Sequence, residues 1–187
     1  TNISCVRFGN VLGSRGSIIP LIKQQIKNDD IVTLTDEKMK RFFLSISQAA
    51  ELVLKAAYLS QGGEIFVLKM PNLLIKDLIE VLIEDYSSII GKKPDSIKMK
   101  FIGMRPGEKF DEELISPNEY LYAKNPQALH LVHPLMFFNY NKSHLILIKN
   151  GAKEIKDKNF GYNTRNNPVI NKNQIRILLK DLDLLQE

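Results

Sequence analysis

Residues Thr1 to Leu21 read TNISCVRFGNVLGSRGSIIPL, and the rest of the chain is organised around them. Ile3 to Phe8 has the β-branched and aromatic character of a buried strand, carried by Val6 and Phe8. Gly9 to Gly16 is a polar turn, in which Gly9, Gly13 and Gly16 supply positive φ angles or close backbone approach. A helix is predicted from Ser17, which can cap it, with Pro20 tolerated in its first turn. Strand, glycine-rich turn and helix N-terminus place free N–H groups and a positive dipole end in one crevice. Such a crevice suits an anion, and Arg7, Asn10 and Arg15 add side-chain donors. The plainer alternative is an ordinary strand-to-helix loop.

With 187 residues, the chain can bury one sizeable core. A hydrophobic fraction of 44% and a charged fraction of 25% are those of a globular protein rather than a disordered one. The net charge of +5 suits an anionic ligand, but it is not gathered into a basic block, so nucleic acid is not indicated. Cys5 is the single cysteine, so no disulfide can form within the chain, which fits a reducing cytoplasm. No apolar run approaches a membrane span, and no signal peptide is visible. Thr1 leads straight into a core strand, which reads as a fragment whose N-terminal part is missing.

Outward from the opening, strands and helices alternate. Ile18, Ile19, Ile22 and Ile26 recur at helical spacing, and Asn28-Asp29-Asp30 ends that helix. Ile31 to Thr35 reads as a short strand, and Met39 to Ile46 as another with Arg41 set among apolar residues. Ser47 is predicted to cap a helix over Gln48 to Leu59, ended by Gly62-Gly63. Glu64 to Lys69 is a strand, Ile75 to Ile90 a long amphipathic helix closed by Gly91, and Ile97 to Ile102 a strand. This alternation predicts an α/β domain with a mostly parallel sheet. In GMRPGEKFDEEL, residues 103–114, Pro106 and Gly107 set a turn. Glu108 is then expected in the first turn of a following helix, where the dipole favours an acid. His130, His133 and His144 lack a well-placed third or fourth partner, so no metal site is expected. Asn171 or Asn173 can cap a final helix with Ile175, Leu178, Leu179 and Leu182 on one face.

Several of these stretches carry a family resemblance. RFGNVLGSRGSIIP, the pattern Thr35-Asp36-x-x-Met39-x-Arg41-Phe42-Phe43, and RPGEK followed by EEL resemble extended short-chain dehydrogenase/reductases. More narrowly they resemble the CapD-like polysaccharide biosynthesis proteins, whose best-defined members are inverting UDP-N-acetylglucosamine 4,6-dehydratases. The closing run, an aromatic with small polar residues, Asn and a short helix, is similar to the same branch. The resemblance implies the α/β C-terminal half of a Rossmann-type fold, with the substrate-binding subdomain, as one unit over residues 1–187. It implies a UDP-sugar bound by Asn10, Ser17, Ile18, Val32, Thr33, Arg41, Arg105 and Glu108. The two arginines would reach the diphosphate, Glu108 the ribose hydroxyls, and Val32 to Thr35 would flank the uracil. Phe8 and Gly9 would approach the nicotinamide of NAD or NADP by backbone.

No GxxGxxG turn follows a strand, and a catalytic Tyr-x-x-x-Lys pair is not expected in the chain. The resemblance therefore places the dinucleotide turn, the tyrosine–lysine pair and the acid–base residues upstream. In the complete family enzyme, hydride leaves carbon four, water is eliminated across carbons five and six, and hydride returns to carbon six. This chain's implied share is binding and orientation of the UDP-sugar, with homo-oligomerisation expected for the whole enzyme. A UDP-sugar 4-epimerase is the alternative on the same fold, and a non-catalytic UDP-sugar-binding module the third.

Overall fold

The computed structural model describes residues 2–120, 123–125, 129–132, 153–154 and 161–186. The opening stretch forms two short strands rather than one. β1 (Cys5–Arg7) is followed by β2 (Asn10–Val11) inside what reads as a polar turn, and then by α1 (Ile18–Asn28). The cause lies at Gly9. A Cβ there would stand 2.4 Å from the Phe42 carbonyl oxygen and 2.7 Å from Phe42 Cβ. Only glycine lets the chain pass this close as it leaves one sheet and enters another.

β1 pairs in parallel with β5 (Ile65–Leu68), while β2 pairs in parallel with β4 (Lys40–Leu44). β3 (Ile31–Leu34) pairs in parallel with β7 (Lys98–Phe101). The α/β expectation holds, with parallel pairs whose members are joined by long crossovers. The sheets are nevertheless mixed. β4 is antiparallel to β6 (Asn72–Leu74), and β8 (Glu113–Ile115) to β12 (Tyr162–Asn163). On the far side of β5, three antiparallel pairings add β10 (Leu129–Val132), β9 (Ala123–Asn125) and β11 (Lys153–Glu154).

The first long helix after β4 is α2 (Ile46–Leu59), and its cap is Ser45, not Ser47. Ser45 Oγ accepts the Gln48 N–H at 3.1 Å, and Gln48 Oε1 accepts the Ser45 N–H at 2.8 Å. The three-residue spacing of that reciprocal pair selects Ser45, and Ser47 merely hydrogen-bonds its hydroxyl. α3 (Ile75–Ile89) follows β6, and α4 (Pro117–Tyr120) is a single turn. α5 (Lys172–Asp181) starts at Asn171, which pairs with Gln174 in the same reciprocal way. Glu108 lies in no helix: Pro106-Gly107 turns the chain, Gly107 at φ 86°, and the next element is the extended β8.

The main core packs α1, α3 and α5 together through Ile19, Ile22, Ile26, Leu78, Leu82, Ile175 and Leu179. These residues are at most 1% exposed, so each contributes on the order of 1.5–3 kcal/mol of burial free energy. A second cluster lies between β4, β5 and β12, where the Phe42 and Tyr162 rings stack at 4.5 Å. His133, His144, Tyr122 and the stretch 133–148 lie outside the described residues, as does the His130 side chain. Among the described residues, no helix is long and apolar enough to cross a membrane.

Candidate functional site

A cavity of about 260 Å³ opens where α1, β3, β4 and α3 meet the loop after β7. Ile18, Leu21, Ile22, Ile75 and Ile79 give it an apolar wall. Its polar lining comes from Asn10, Thr33, Thr35, Arg41, Arg105 and Glu108. Six of the residues singled out from sequence, from Asn10 to Glu108, thus border one space, drawn from four separate elements and a loop. The strand β4 alternates sides, which sends Arg41 and Phe43 toward the cavity and buries Phe42 in the second cluster.

Arg41 and Arg105 share the cavity but differ in state. The Arg41 side chain is only 15% exposed. Its Nη2 donates to the Lys109 carbonyl at 2.7 Å, and its Nη1 donates to the carbonyls of Lys40 at 2.7 Å and Phe110 at 3.2 Å. Its Nε lies 3.6 Å from Glu112 Oε1. Arg105 is exposed, and its guanidinium has no hydrogen-bond or ion-pair partner among the described residues. The loop between them is self-supporting. Glu108 Oε2 accepts the Arg105 N–H at 2.8 Å, and the Glu108 N–H returns to the Arg105 carbonyl at 3.1 Å.

Four expected residues stand elsewhere. Val32 is fully buried in the main core, and only its neighbours on β3 reach the cavity. Ser17 sits at the N-cap of α1 but makes no capping bond, and its hydroxyl oxygen is buried without a partner among the described residues. Phe8 packs against the apolar clusters around Phe42 and Phe66. The Gly9 N–H donates to Met70 Sδ at 3.3 Å, so the close contact that demands glycine there is with Phe42. Arg7 is turned away as well. It donates to the Leu114 carbonyl at 3.0 Å and pairs with Glu119 at 2.9 Å. The hydrogen bond to Glu119 holds the Arg7 guanidinium above its ordinary pKa. For Glu119, burial pushes the carboxyl up, but hydrogen bonds from Arg7 and Ser116 outweigh it and leave the group below its usual value.

The spacing Tyr-x-x-x-Lys does occur once, at Tyr120 and Lys124. Tyr120 closes the single turn α4, and Lys124 lies in β9. Sequence reasoning missed Glu112. Its carboxylate accepts the Asn10 side-chain amide at 2.7 Å and the Phe42 N–H at 2.9 Å, beside Arg41. The signal was present in the EEL tract after RPGEK, but nothing local marks which of the two glutamates turns inward. Among the described residues no group of three or more potential metal ligands is brought together.

Chemically, the cavity offers two guanidinium groups against one carboxylate, the Asn10 side-chain amide and an apolar wall. That is a setting for an anion attached to an apolar or heterocyclic body. The chain also resembles known proteins. The sequence profile of the family described as "Polysaccharide biosynthesis protein" matches residues 1–134. The chain is 45% identical over 99% of its length to "Uncharacterized membrane protein MJ1061" of Methanocaldococcus jannaschii, covering 51% of that protein. It is 51% identical over 64% of its length to "Capsular polysaccharide biosynthesis protein CapD" of Staphylococcus aureus, covering 19% of it. A "UDP-glucose 4-epimerase" of Rickettsia felis is 36% identical over 99% of the chain, which covers 51% of that enzyme. Among solved structures, Pen from Bacillus thuringiensis superposes with a TM-score of 0.84 at 37% identity, over 98% of this chain and 50% of that one. The chain therefore spans about half the length of the Methanocaldococcus and Rickettsia relatives. With its α/β fold and its RFGNV, RFF and RPGEK motifs, it belongs to the CapD-like polysaccharide biosynthesis protein family.

Proposed function

We propose that this chain is the UDP-sugar-binding part of an NAD(P)-dependent enzyme of surface-polysaccharide or glycan biosynthesis, an inverting UDP-N-acetylglucosamine 4,6-dehydratase. The observation that supports the reading best is the meeting of Asn10, Arg41, Arg105 and Glu108 at one cavity. Arg105, free of partners among the described residues, would bind the diphosphate with its planar fork, and Arg41 would add a second positive charge at the same cavity. Asn10, its amide nitrogen held by the Phe42 carbonyl and Glu112, would accept from the ligand through its side-chain oxygen. Glu108 uses one carboxylate oxygen on the loop and keeps the other for a ribose hydroxyl. Ile18 and Thr33 of β3 would bound the base, with Val32 buried behind them. At about 260 Å³ the cavity lies just under the usual range of small-molecule sites, so the hexose would project beyond it.

NAD or NADP, when bound, supplies the hydride chemistry. Phe8 and Gly9 do not by themselves form a cradle for it, because Met70 takes the Gly9 N–H and Phe42 closes the Cα face. The dinucleotide would be held by residues outside this chain, and the share of these residues in the reaction is orientation. Holding a reactant in place can be worth about 7–11 kcal/mol of barrier in the most favourable cases.

A UDP-sugar 4-epimerase is the second reading, favoured by the name of the Rickettsia relative. The two readings separate in one experiment. The full-length protein is incubated with UDP-N-acetylglucosamine and the product is weighed by mass spectrometry. Loss of water supports the dehydratase, and an isomer of unchanged mass supports the epimerase. The binding site itself is tested by calorimetry with UDP on this chain and on an Arg41→Ala, Arg105→Ala double variant. Binding by the unaltered chain that the double variant loses is expected. Equal binding by both would remove the assigned site.

A further inference from the structure

We infer that Glu112 is a positioning residue for the cavity, fixing Asn10 and the β4 backbone that carries Arg41. The inference rests on the UDP reading for its functional consequence, but its geometry is independent of any ligand. Glu112 joins three segments far apart in sequence. Its Oε1 accepts the Asn10 amide at 2.7 Å, which anchors β2. Its Oε2 accepts the Phe42 N–H at 2.9 Å, which anchors β4 one residue from Arg41. Its own N–H donates to Thr164 Oγ1 at 2.9 Å, and its carbonyl accepts the Thr164 N–H at 2.9 Å. Thr164 is fully buried, so the backbone from which the carboxylate projects is itself held firmly.

The arrangement leaves little slack. Asn10 has a second bond, to the Phe42 carbonyl at 3.2 Å, so its amide nitrogen is aimed by two acceptors at once. A carboxylate can accept on both oxygens, whereas a primary amide offers one acceptor and one donor. Glu112→Gln therefore strands either the Asn10 amide or the Phe42 N–H against a donor. It also removes the negative charge 3.6 Å from Arg41 Nε. Glu112 acts through Asn10 and Arg41, and it does not line the cavity itself.

The test has a ligand-free arm and a ligand arm, both on this chain. In the absence of ligand, nuclear magnetic resonance of Glu112→Gln is expected to show shifted Asn10 side-chain amide signals or faster exchange at the Phe42 amide. Both unchanged would overturn the inference. In the ligand arm, UDP affinity is measured for Glu112→Gln in the unaltered chain and with Asn10→Ala already in place. A loss of about tenfold in the first case and less than about threefold in the second is expected, the mark of residues that act as a pair. Equal losses in both backgrounds, the pattern of general destabilisation, would overturn it. Should Glu112→Gln fail to fold, Glu112→Asp serves instead. It keeps the charge and both oxygens but withdraws them by one methylene, and the same two results decide. A chain that binds no UDP at all overturns the functional reading above, while the ligand-free arm still judges Glu112.

Discussion

The guanidinium of Arg41 is folded onto the main chain of Lys109, with Nη2 donating to that carbonyl at 2.7 Å. Lys109 follows Glu108 directly, so a residue of β4 closes the loop that presents Arg105 and Glu108 to the cavity. Arg41 thereby has a structural task before any ligand arrives.

Arg41→Ala should loosen that loop. Two loop carbonyls lose a charged donor, and hydrogen bonds to charged groups are worth about 1.5–3 kcal/mol each. Amide hydrogen exchange over residues 102–112 should rise at least about tenfold, since 1.4 kcal/mol is a factor of ten. Arg41→Lys should recover little of it, because an ammonium cannot span the Lys40, Lys109 and Phe110 carbonyls as a planar fork does. Unchanged exchange in both variants would show that the loop stands without Arg41.

Arg105→Ala should behave in the opposite way. The side chain is exposed and partnerless among the described residues, so the melting temperature should stay within about 1 °C, in line with surface substitutions of about ±0.5 kcal/mol or less. UDP affinity, on the proposed function, should fall by about tenfold or more, as for a charged hydrogen bond to phosphate. A variant that melts early with its UDP affinity intact would reverse the roles given to the two arginines.

Gly9→Ala should destabilise the fold by about 1–3 kcal/mol, the usual penalty of overpacking. The added methyl would meet the Phe42 carbonyl oxygen at 2.4 Å, and neither backbone can give way cheaply. Denaturant unfolding without any nucleotide present measures this. A stability equal to that of the unaltered chain would mean that Gly9 is there for something other than Phe42.

Tyr162 predicts an alkaline limit to stability. Burial pushes its phenol up to about 12, against an ordinary value of 10.0. The neutral phenol accepts the Met70 N–H at 2.8 Å and donates to the Met70 carbonyl at 3.3 Å. The folded-state pKa is the higher one, so between these values the folded chain holds a proton that the unfolded chain has lost. Stability from this group is whole below pH 10 and falls as pH rises toward 12, by up to about 1.4 kcal/mol per unit. Tyr162→Phe should remove that part of the alkaline slope. It should also cost about 1–3 kcal/mol at neutral pH by leaving the buried Met70 N–H without its acceptor. Identical slopes for the two proteins between pH 10 and 12 would refute the assignment.

What was legible in the amino-acid order was what acts over a few residues. Apolar spacing announced α1, α3 and α5, and Asn171 or Asn173 marked the start of the last helix, a choice that the reciprocal bonds with Gln174 settle for Asn171. The opening motif, the strand at Thr33 and the motifs around Arg41 and Arg105 named six residues that border one cavity. Packing at long range decided the rest. Gly9 splits the first strand because of Phe42, Arg7 leaves the crevice for Glu119, and Arg41 finds a carbonyl 68 positions away. Glu112 and Glu113 are indistinguishable as neighbours in the chain, yet one holds Asn10 and the other is exposed. Helix caps and hydrophobic periodicity are satisfied within a turn or two, so sequence alone carries them. A buried donor takes whichever acceptor the closing fold brings within 3 Å, and only the assembled chain determines which one that is.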